Sequence, residues 1–187
     1  MNNQIKAVTL IALLVSGGAM ADIRDETSGV YVQGGVAGMN VESPKLNDQK
    51  VNGGALTVGY DINKIVGVSL SVQGASDEDI KSANLDGSMN TQKIDVGASQ
   101  IGTDIGYTFS MSNSITLKPY VSAGVGATKL ERNLSGNTET QKTEALFAGV
   151  GAKMTVKKHF IVSLDLRQQG SSDEAAKISM LQAGYKF

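Results

Sequence analysis

The sequence predicts an all-β protein, an eight-stranded antiparallel up-and-down transmembrane barrel. The chain contains 22 Gly but only 2 Pro among 187 residues, which favours strands and tight turns. Apolar and polar residues alternate with a period of two in eight segments, and short and long connections alternate between them. Charged residues occupy the face opposite the apolar one, which indicates a polar lumen and a lipid-facing exterior.

Charge and cysteine content exclude several classes of protein. The 17 basic and 18 acidic residues nearly balance, which excludes a strongly basic nucleic-acid-binding protein and a polyanionic disordered tail. The absence of Cys excludes a disulfide scaffold, a Cys-ligated zinc site and a lipoprotein anchor. The length fits one domain of ordinary size.

Residues 1–21 have the organisation of a secretory signal peptide. Lys6 supplies the positive charge, residues 7–15 form the apolar run, and Ala19-Met20-Ala21 is an A-x-A cleavage site. The apolar run is shorter than the roughly 20 residues that a membrane-spanning helix needs. We therefore expect cleavage after Ala21, export, and an outer-membrane barrel domain over residues 22–187.

The first four predicted strands cover residues 29–39, 55–62, 66–73 and 100–109. Their opposite faces are polar or small, and they include Asp61 and Asp104. A tilted strand needs about 9–11 residues to cross a membrane, and these lengths bracket that value. The apolar faces comprise Val30, Val32 and Val36; Leu56, Val58, Tyr60 and Ile62; Val66, Val68, Leu70 and Val72; and Ile101, Ile105, Tyr107 and Phe109.

The last four predicted strands cover residues 115–128, 144–156, 160–168 and 177–187. Their opposite faces carry most of the charge, in Lys118, Lys153, Asp165, Arg167 and Lys186. The apolar faces comprise Ile115, Leu117, Val121 and Val125; Leu146, Ala148, Val150, Met154 and Val156; Phe160, Val162, Leu164 and Leu166; and Leu181, Ala183, Tyr185 and Phe187.

The connections give the predicted barrel two different ends. Those at 63–64, 110–114 and 157–159 are short, which is typical of the periplasmic side. The stretches near 40–54, 74–99, 129–143 and 169–176 are longer and rich in Asp, Glu, Asn and Ser, so we expect four long surface loops there. Seven of the nine aromatic residues lie at strand ends near the short turns or the termini, which predicts one aromatic girdle. These are Tyr31, Tyr60, Tyr107, Phe109, Phe160, Tyr185 and Phe187, and the opposite rim has at most Phe147.

The charges on the lumen face are predicted to form a paired polar network. A charge buried in a narrow barrel is costly unless it is paired. The acids Asp61, Asp104 and Asp165 can be balanced by the bases Lys118, Lys153 and Arg167. We favour a structural plug of salt bridges, because eight strands leave little interior space. The alternative is a gated, narrow solute path.

Four segments carry a resemblance to the small bacterial outer-membrane barrels of the opacity, OmpX/Ail and OmpA membrane-domain type. They are GYDINKIVGVSL (59–70), KPYVSAGVGA (118–127), GVGAKMTVKKHF (149–160) and the closing LQAGYKF (181–187). Tyr185 and the final Phe187 resemble the signal that such barrels present to the barrel-assembly machinery. The resemblance implies a Gram-negative outer membrane as location, with its lipid and lipopolysaccharide as surroundings.

Catalytic and cofactor chemistry find little support in the sequence. The single His159 lies in the short turn 157–159, on the side away from the outer-leaflet lipid A that barrel enzymes modify. We interpret it as a solvated turn residue and expect no enzyme activity. One His and no Cys leave no transition-metal site, and we expect no cofactor and no nucleic-acid partner.

The predicted function is a structural or surface-interaction role of a monomeric barrel. Its long loops would meet the environment, including host or phage surfaces. A narrow, porin-like solute channel is the alternative, and a lipid-modifying enzyme is a third, less favoured one. Bilayer conductance distinguishes the first two.

Overall fold

The computed structural model describes residues 27–43, 46–83, 89–134, 137–171 and 174–187. They form strands and connections throughout. The strands are β1 (Gly29–Ser43), β2 (Leu46–Asp61), β3 (Val66–Ala83), β4 (Met89–Gly106), β5 (Phe109–Ser112), β6 (Ile115–Leu134), β7 (Asn137–Val156), β8 (Phe160–Ser171) and β9 (Glu174–Lys186). No helix in the described part of the chain is long and apolar enough to cross a membrane.

Eight of these strands close into an antiparallel barrel. Each is hydrogen-bonded to its neighbours in the order β4-β3-β2-β1-β9-β8-β7-β6, and β4 also pairs with β6, which completes the ring. The first and last strands meet along a ladder from Tyr31–Lys186 to Glu42–Ala175. The predicted fold, an eight-stranded up-and-down barrel, is therefore confirmed.

The predicted boundaries are wrong where long loops were expected. The strands continue through most of those stretches: β1 reaches Ser43, β3 reaches Ala83, and β6 reaches Leu134. Beyond the apolar belt both sides of a strand can be polar, so the end of the apolar alternation does not mark the end of the strand. The structure thus replaces the predicted long loops with extended β-hairpins.

The fourth strand also ends earlier than predicted, at Gly106 rather than at residue 109. Phe109 instead begins the short strand β5, which pairs with the start of β6. At the turn after β2, the Asn63 side-chain oxygen accepts hydrogen bonds from the backbone N–H groups of Ile65 and Val66, both at 2.8 Å. At the turn after β7, Lys157 and Lys158 adopt φ values of 51° and 65°, as tight hairpin turns require.

A belt of exposed apolar side chains surrounds the barrel. Val36, Val72, Val121 and Leu164 are about half exposed or more, and they lie on the outward phase of β1, β3, β6 and β8. Apart from Gly35, the residues that alternate with them are buried in the interior. This inverts the usual arrangement of a water-soluble protein and matches the outward apolar band of membrane barrels.

Candidate functional site in the barrel interior

The interior of the barrel is filled by side chains, and most of them are polar. The buried polar side chains all have relative exposures below 8%. They include every residue of the predicted network together with a set of hydroxyl and amide side chains. The buried polar residues are Gln33, Thr57, Asp61, Ser71, Gln73, Gln100, Asp104, Lys118, Ser122, Lys153, Ser163, Asp165, Arg167, Gln169, Gln182 and Lys186.

A cluster of three lysines and two carboxylates occupies the end of the interior nearest the short turns. Lys153 Nζ lies 2.9 Å from Asp61 Oδ1, and Lys186 Nζ lies 2.9 Å from Asp61 Oδ2. Lys118 Nζ lies 2.6 Å from Asp104 Oδ2 and 3.6 Å from Asp61 Oδ1. The cluster therefore holds one more positive than negative charge. We call these five residues the lysine cluster.

A second group of charges lies deeper, at the middle of the barrel. Arg167 Nη2 lies 3.1 Å from Asp165 Oδ1, and the Tyr120 hydroxyl donates to the same oxygen at 2.7 Å. The other guanidinium nitrogen of Arg167, Nη1, donates to Ser71 Oγ at 2.9 Å and to Gln100 Oε1 at 3.0 Å. Buried charges need such partners, since neither lipid nor bulk water solvates them here.

Amide and hydroxyl side chains link strands that are two places apart in the barrel. Gln33 Nε2 donates to Ser163 Oγ at 3.1 Å, and Thr57 Oγ1 donates to Gln182 Oε1 at 3.0 Å. These bonds join β1 to β8 and β2 to β9, strands that lie two places apart in the barrel, so they tie next-nearest strands together inside the lumen.

An apolar cluster lines the β1–β4 and β9 side of the interior toward the long hairpins, and the sequence analysis missed it. Gln73 Nε2 lies 3.3 Å from Met180 Sδ, where the polar network meets this cluster. Its members are in phase with the polar lumen residues of the same strands, so following that phase along the predicted strands and into the presumed loops would have found them. The apolar cluster comprises Ala37, Met39, Val51, Ala55, Ala75, Val96, Ala98, Ile178 and Met180.

The predicted aromatic girdle is wrong in one member. Tyr31 is 2% exposed and points into the lumen, where Lys153 Nζ lies 3.9 Å from its ring centroid. The other six members are exposed, from Tyr60 at 36% to Phe187 at 74%. Phe147, which had been considered for the opposite rim, is also buried inside, 5.3 Å from the Arg167 guanidinium.

His159 takes part in a contact between a turn and the last strand. Its Nδ1 lies 3.0 Å from the Lys186 carbonyl oxygen, and its ring stacks on Tyr185 at a centroid distance of 5.2 Å. The backbone N–H of Lys186 donates to the His159 carbonyl at 2.7 Å. This residue thus joins the β7–β8 turn to the end of β9.

The two residues of the predicted assembly signal lie together on the outside of the same rim. Tyr185 and Phe187 have ring centroids 5.1 Å apart, and the Phe187 N–H donates to the Val30 carbonyl at 2.9 Å. The predicted cleavage residues Ala19 and Ala21 lie outside the described residues, so that prediction stays untested. Within the described ranges, no group of three or more His, Asp and Glu side chains is arranged to hold a metal ion.

A closed barrel with an outward apolar belt and a polar interior defines a small transmembrane β-barrel. The chain matches the family model for the outer membrane protein beta-barrel domain over residues 7–187. The protein therefore belongs to that family and is located in the cell outer membrane. This confirms the resemblance to small bacterial outer-membrane barrels.

Solved structures support the same fold. Ail, the attachment invasion locus protein of Yersinia pestis, is similar with a TM-score of 0.60 and 21% identity, covering 85% of this chain and 99% of that one. OprG from Pseudomonas aeruginosa gives a TM-score of 0.59 and 16% identity over 89% and 99%. Neisserial surface protein A gives 0.56 and 19% over 85% and 96%. A comparison with curated protein sequences found no match.

Proposed function

We propose that the protein is a non-enzymatic barrel that does not conduct solutes and that presents its extended hairpins at the cell surface. The observation that carries this proposal is the filled interior. A solute would have to displace both the Arg167 group and the apolar cluster. Eight strands provide room for side chains but not for an additional water-filled path.

The long hairpins support a role outside the membrane. Among the described side chains of β6 and β7, Val125–Leu146 is the outermost exposed pair of large apolar residues. The ladder continues beyond it for nine more residue pairs to Leu134–Asn137. At about 3.3 Å per residue, this hairpin extends roughly 30 Å along its strands beyond the belt. Such a projection is larger than a connection between two strands requires.

A recess at the outer edge of the belt supports contact with lipopolysaccharide. It is a wall cavity of about 1040 Å³ beside β1, β2, β7, β8 and β9. Its lining is mostly apolar, with outward residues such as Leu146, Val150 and Leu166, and it also includes the outward polar residues Asn40, Asn52, Gln168, Lys177 and Ser179. Polar and cationic groups at this level suit the sugars and phosphates of the outer leaflet.

A relative supports the idea of an external ligand. Ail of Yersinia pestis has been solved in complex with the heparin analogue sucrose octasulfate. We extend to this chain only the general role, in which the projecting hairpins bind a molecule on a host or phage surface. A monomeric state and insertion by the barrel-assembly machinery belong to the same proposal.

Conductance in planar bilayers tests the closed lumen. The purified barrel is expected to give no stepwise current after insertion. Its resistance to unfolding in unheated sample buffer serves as the control that it is folded. As a positive control, Met180→Gly combined with Ile178→Gly removes two of the three largest side chains of the apolar cluster and should introduce transient openings. A steady current from the unmodified protein would refute the proposal and favour the solute channel. Unchanged lipid A masses with and without the gene would support the non-enzymatic part.

A further inference from the structure

The mouth of the barrel on the short-turn side contains a polar cavity of about 670 Å³. This volume is within the range of about 300–1,000 Å³ that small-molecule sites occupy. Its floor is formed by Asp61 and the lysines of the lysine cluster, and its walls include Thr27, Thr116 and Thr155. We call this cavity the periplasmic vestibule.

Among the described residues that line the periplasmic vestibule, lysines outnumber carboxylates. Asp61 is the single acidic residue among the described residues that line it, whereas the whole chain carries a net charge of −1. Below this surface, the lysine cluster has three buried ammonium groups and only two carboxylates. An excess buried positive charge is costly unless an anion accompanies it. The five lysines that line the vestibule are Lys64, Lys118, Lys153, Lys158 and Lys186.

A second, independent observation concerns Thr27. Its Oγ1 is buried and has no hydrogen-bond partner among the described residues, although the side chain lines the vestibule. The Thr27 carbonyl accepts a hydrogen bond from Lys186 Nζ, which holds this residue against the lysine cluster. A buried hydroxyl without a partner costs free energy, and an oxyanion in the vestibule would satisfy it.

We propose that the periplasmic vestibule binds a small multivalent oxyanion of the phosphate type. Lysine ammonium groups recognise phosphate as point charges, and hydroxyl groups donate additional hydrogen bonds to its oxygens. The phosphate can belong to a soluble phosphorylated molecule in the periplasm. It can equally belong to the headgroup of an inner-leaflet phospholipid at the rim. The recognition chemistry is the same in both cases.

Isothermal titration of the folded barrel in detergent with inorganic pyrophosphate tests the site. One saturable site is expected, with an affinity that decreases as salt increases. Lys158→Gln, on the exposed turn after β7, should weaken binding about tenfold, because a charge-assisted contact is lost. Thr27→Val should also weaken it, since the hydroxyl is replaced at nearly constant shape. The matched control is Lys142→Gln, an exposed position on the long β6–β7 hairpin, which should leave the affinity unchanged.

The outcomes separate the two sources and the competing explanations. If nanodiscs that contain anionic phosphatidylglycerol suppress pyrophosphate binding and phosphatidylcholine nanodiscs do not, the natural occupant is a lipid headgroup. Equal binding in both supports a soluble anion. No saturable binding, or the same loss in Lys142→Gln, would overturn the proposal. It would also be overturned if binding appeared only after Asp25→Asn and Glu26→Gln, because the chain's own acidic segment before Thr27 would then be the occupant.

Discussion

Replacing Arg167 with alanine is expected to destabilise the barrel by about 3–5 kcal/mol, the usual cost of removing one partner of a buried ion pair. The substitution removes the salt bridge to Asp165 and the hydrogen bonds to Ser71 and Gln100. Asp165 then keeps the Tyr120 hydroxyl as its donor, which cannot neutralise its charge. The Asp165 carboxylate is 3% exposed, so water does not replace the guanidinium without rearrangement.

Urea unfolding in lipid vesicles measures this loss. The chain contains no Trp, so far-UV circular dichroism and the heat-dependent shift on gels are suitable signals. The double variant Arg167→Ala with Asp165→Ala should be more stable than Arg167→Ala alone, because no buried charge is left without a partner. Lys129→Ala is the control: its pair with Glu131 is exposed and should contribute less than about 1 kcal/mol. If Arg167→Ala unfolds at the same urea concentration as the unmodified protein, the interior is hydrated and the solute channel becomes the better hypothesis.

Three further predictions address the wall, the packing and the assembly of the barrel. Leu164→Arg should lower the free energy of unfolding by about 2–4 kcal/mol because it places a charge in lipid. A spin label at Leu164 should be quenched by a lipid-soluble relaxant, whereas one at the buried Ser163 should not. Equal access of both labels to an aqueous relaxant would show that β8 does not border lipid. Gly59→Ala should lower the melting temperature, since its Cβ would lie 2.3 Å from the Tyr31 ring, whereas Gly74→Ala, with nothing within 4 Å, should not. Deleting Phe187 should lower the amount of folded barrel in outer-membrane fractions without affecting export, and normal amounts would count against the assembly signal.

The faces of the strands could be predicted from the sequence because each side-chain direction is set by a period of two. On β8, residues 161–169 alternate between buried and exposed as the pattern indicates. Pairing partners could not be predicted, because they depend on the register between strands. Asp61 on β2, for example, pairs with Lys153 on β7 and Lys118 on β6. Asp165 instead pairs with Arg167 two positions away on its own strand, which does not depend on register. Lys186 was predicted to face the lumen but was left out of the predicted pairing of acids and bases, although it forms a salt bridge with Asp61.

The wrong prediction for Tyr31 shows that the position of a residue along a strand does not determine the direction of its side chain. Its place near the short turns suggested the girdle, while its phase with Gln33 pointed inward. Phase determines the direction, and Gly59 on the neighbouring strand supplies the space, because a Cβ there would collide with the ring. The gain is a contact between the Tyr31 ring and the Lys153 ammonium, which strengthens when water is excluded.

The change from a polar to an apolar interior follows from what surrounds the wall. Within the belt, lipid covers the outside, so outward side chains such as Val36 and Leu181 are apolar and the interior can be held by paired polar groups. Beyond the belt, water covers the outside, and the strands need a conventional apolar core to stay together. Ala37 and Met180 lie one position further out than those two residues and begin the apolar cluster. The same cluster that packs the β1–β4 and β9 side of the hairpins therefore also fills that side of the lumen. Substitutions that open the barrel are for this reason expected to loosen the hairpins that it presents to the outside.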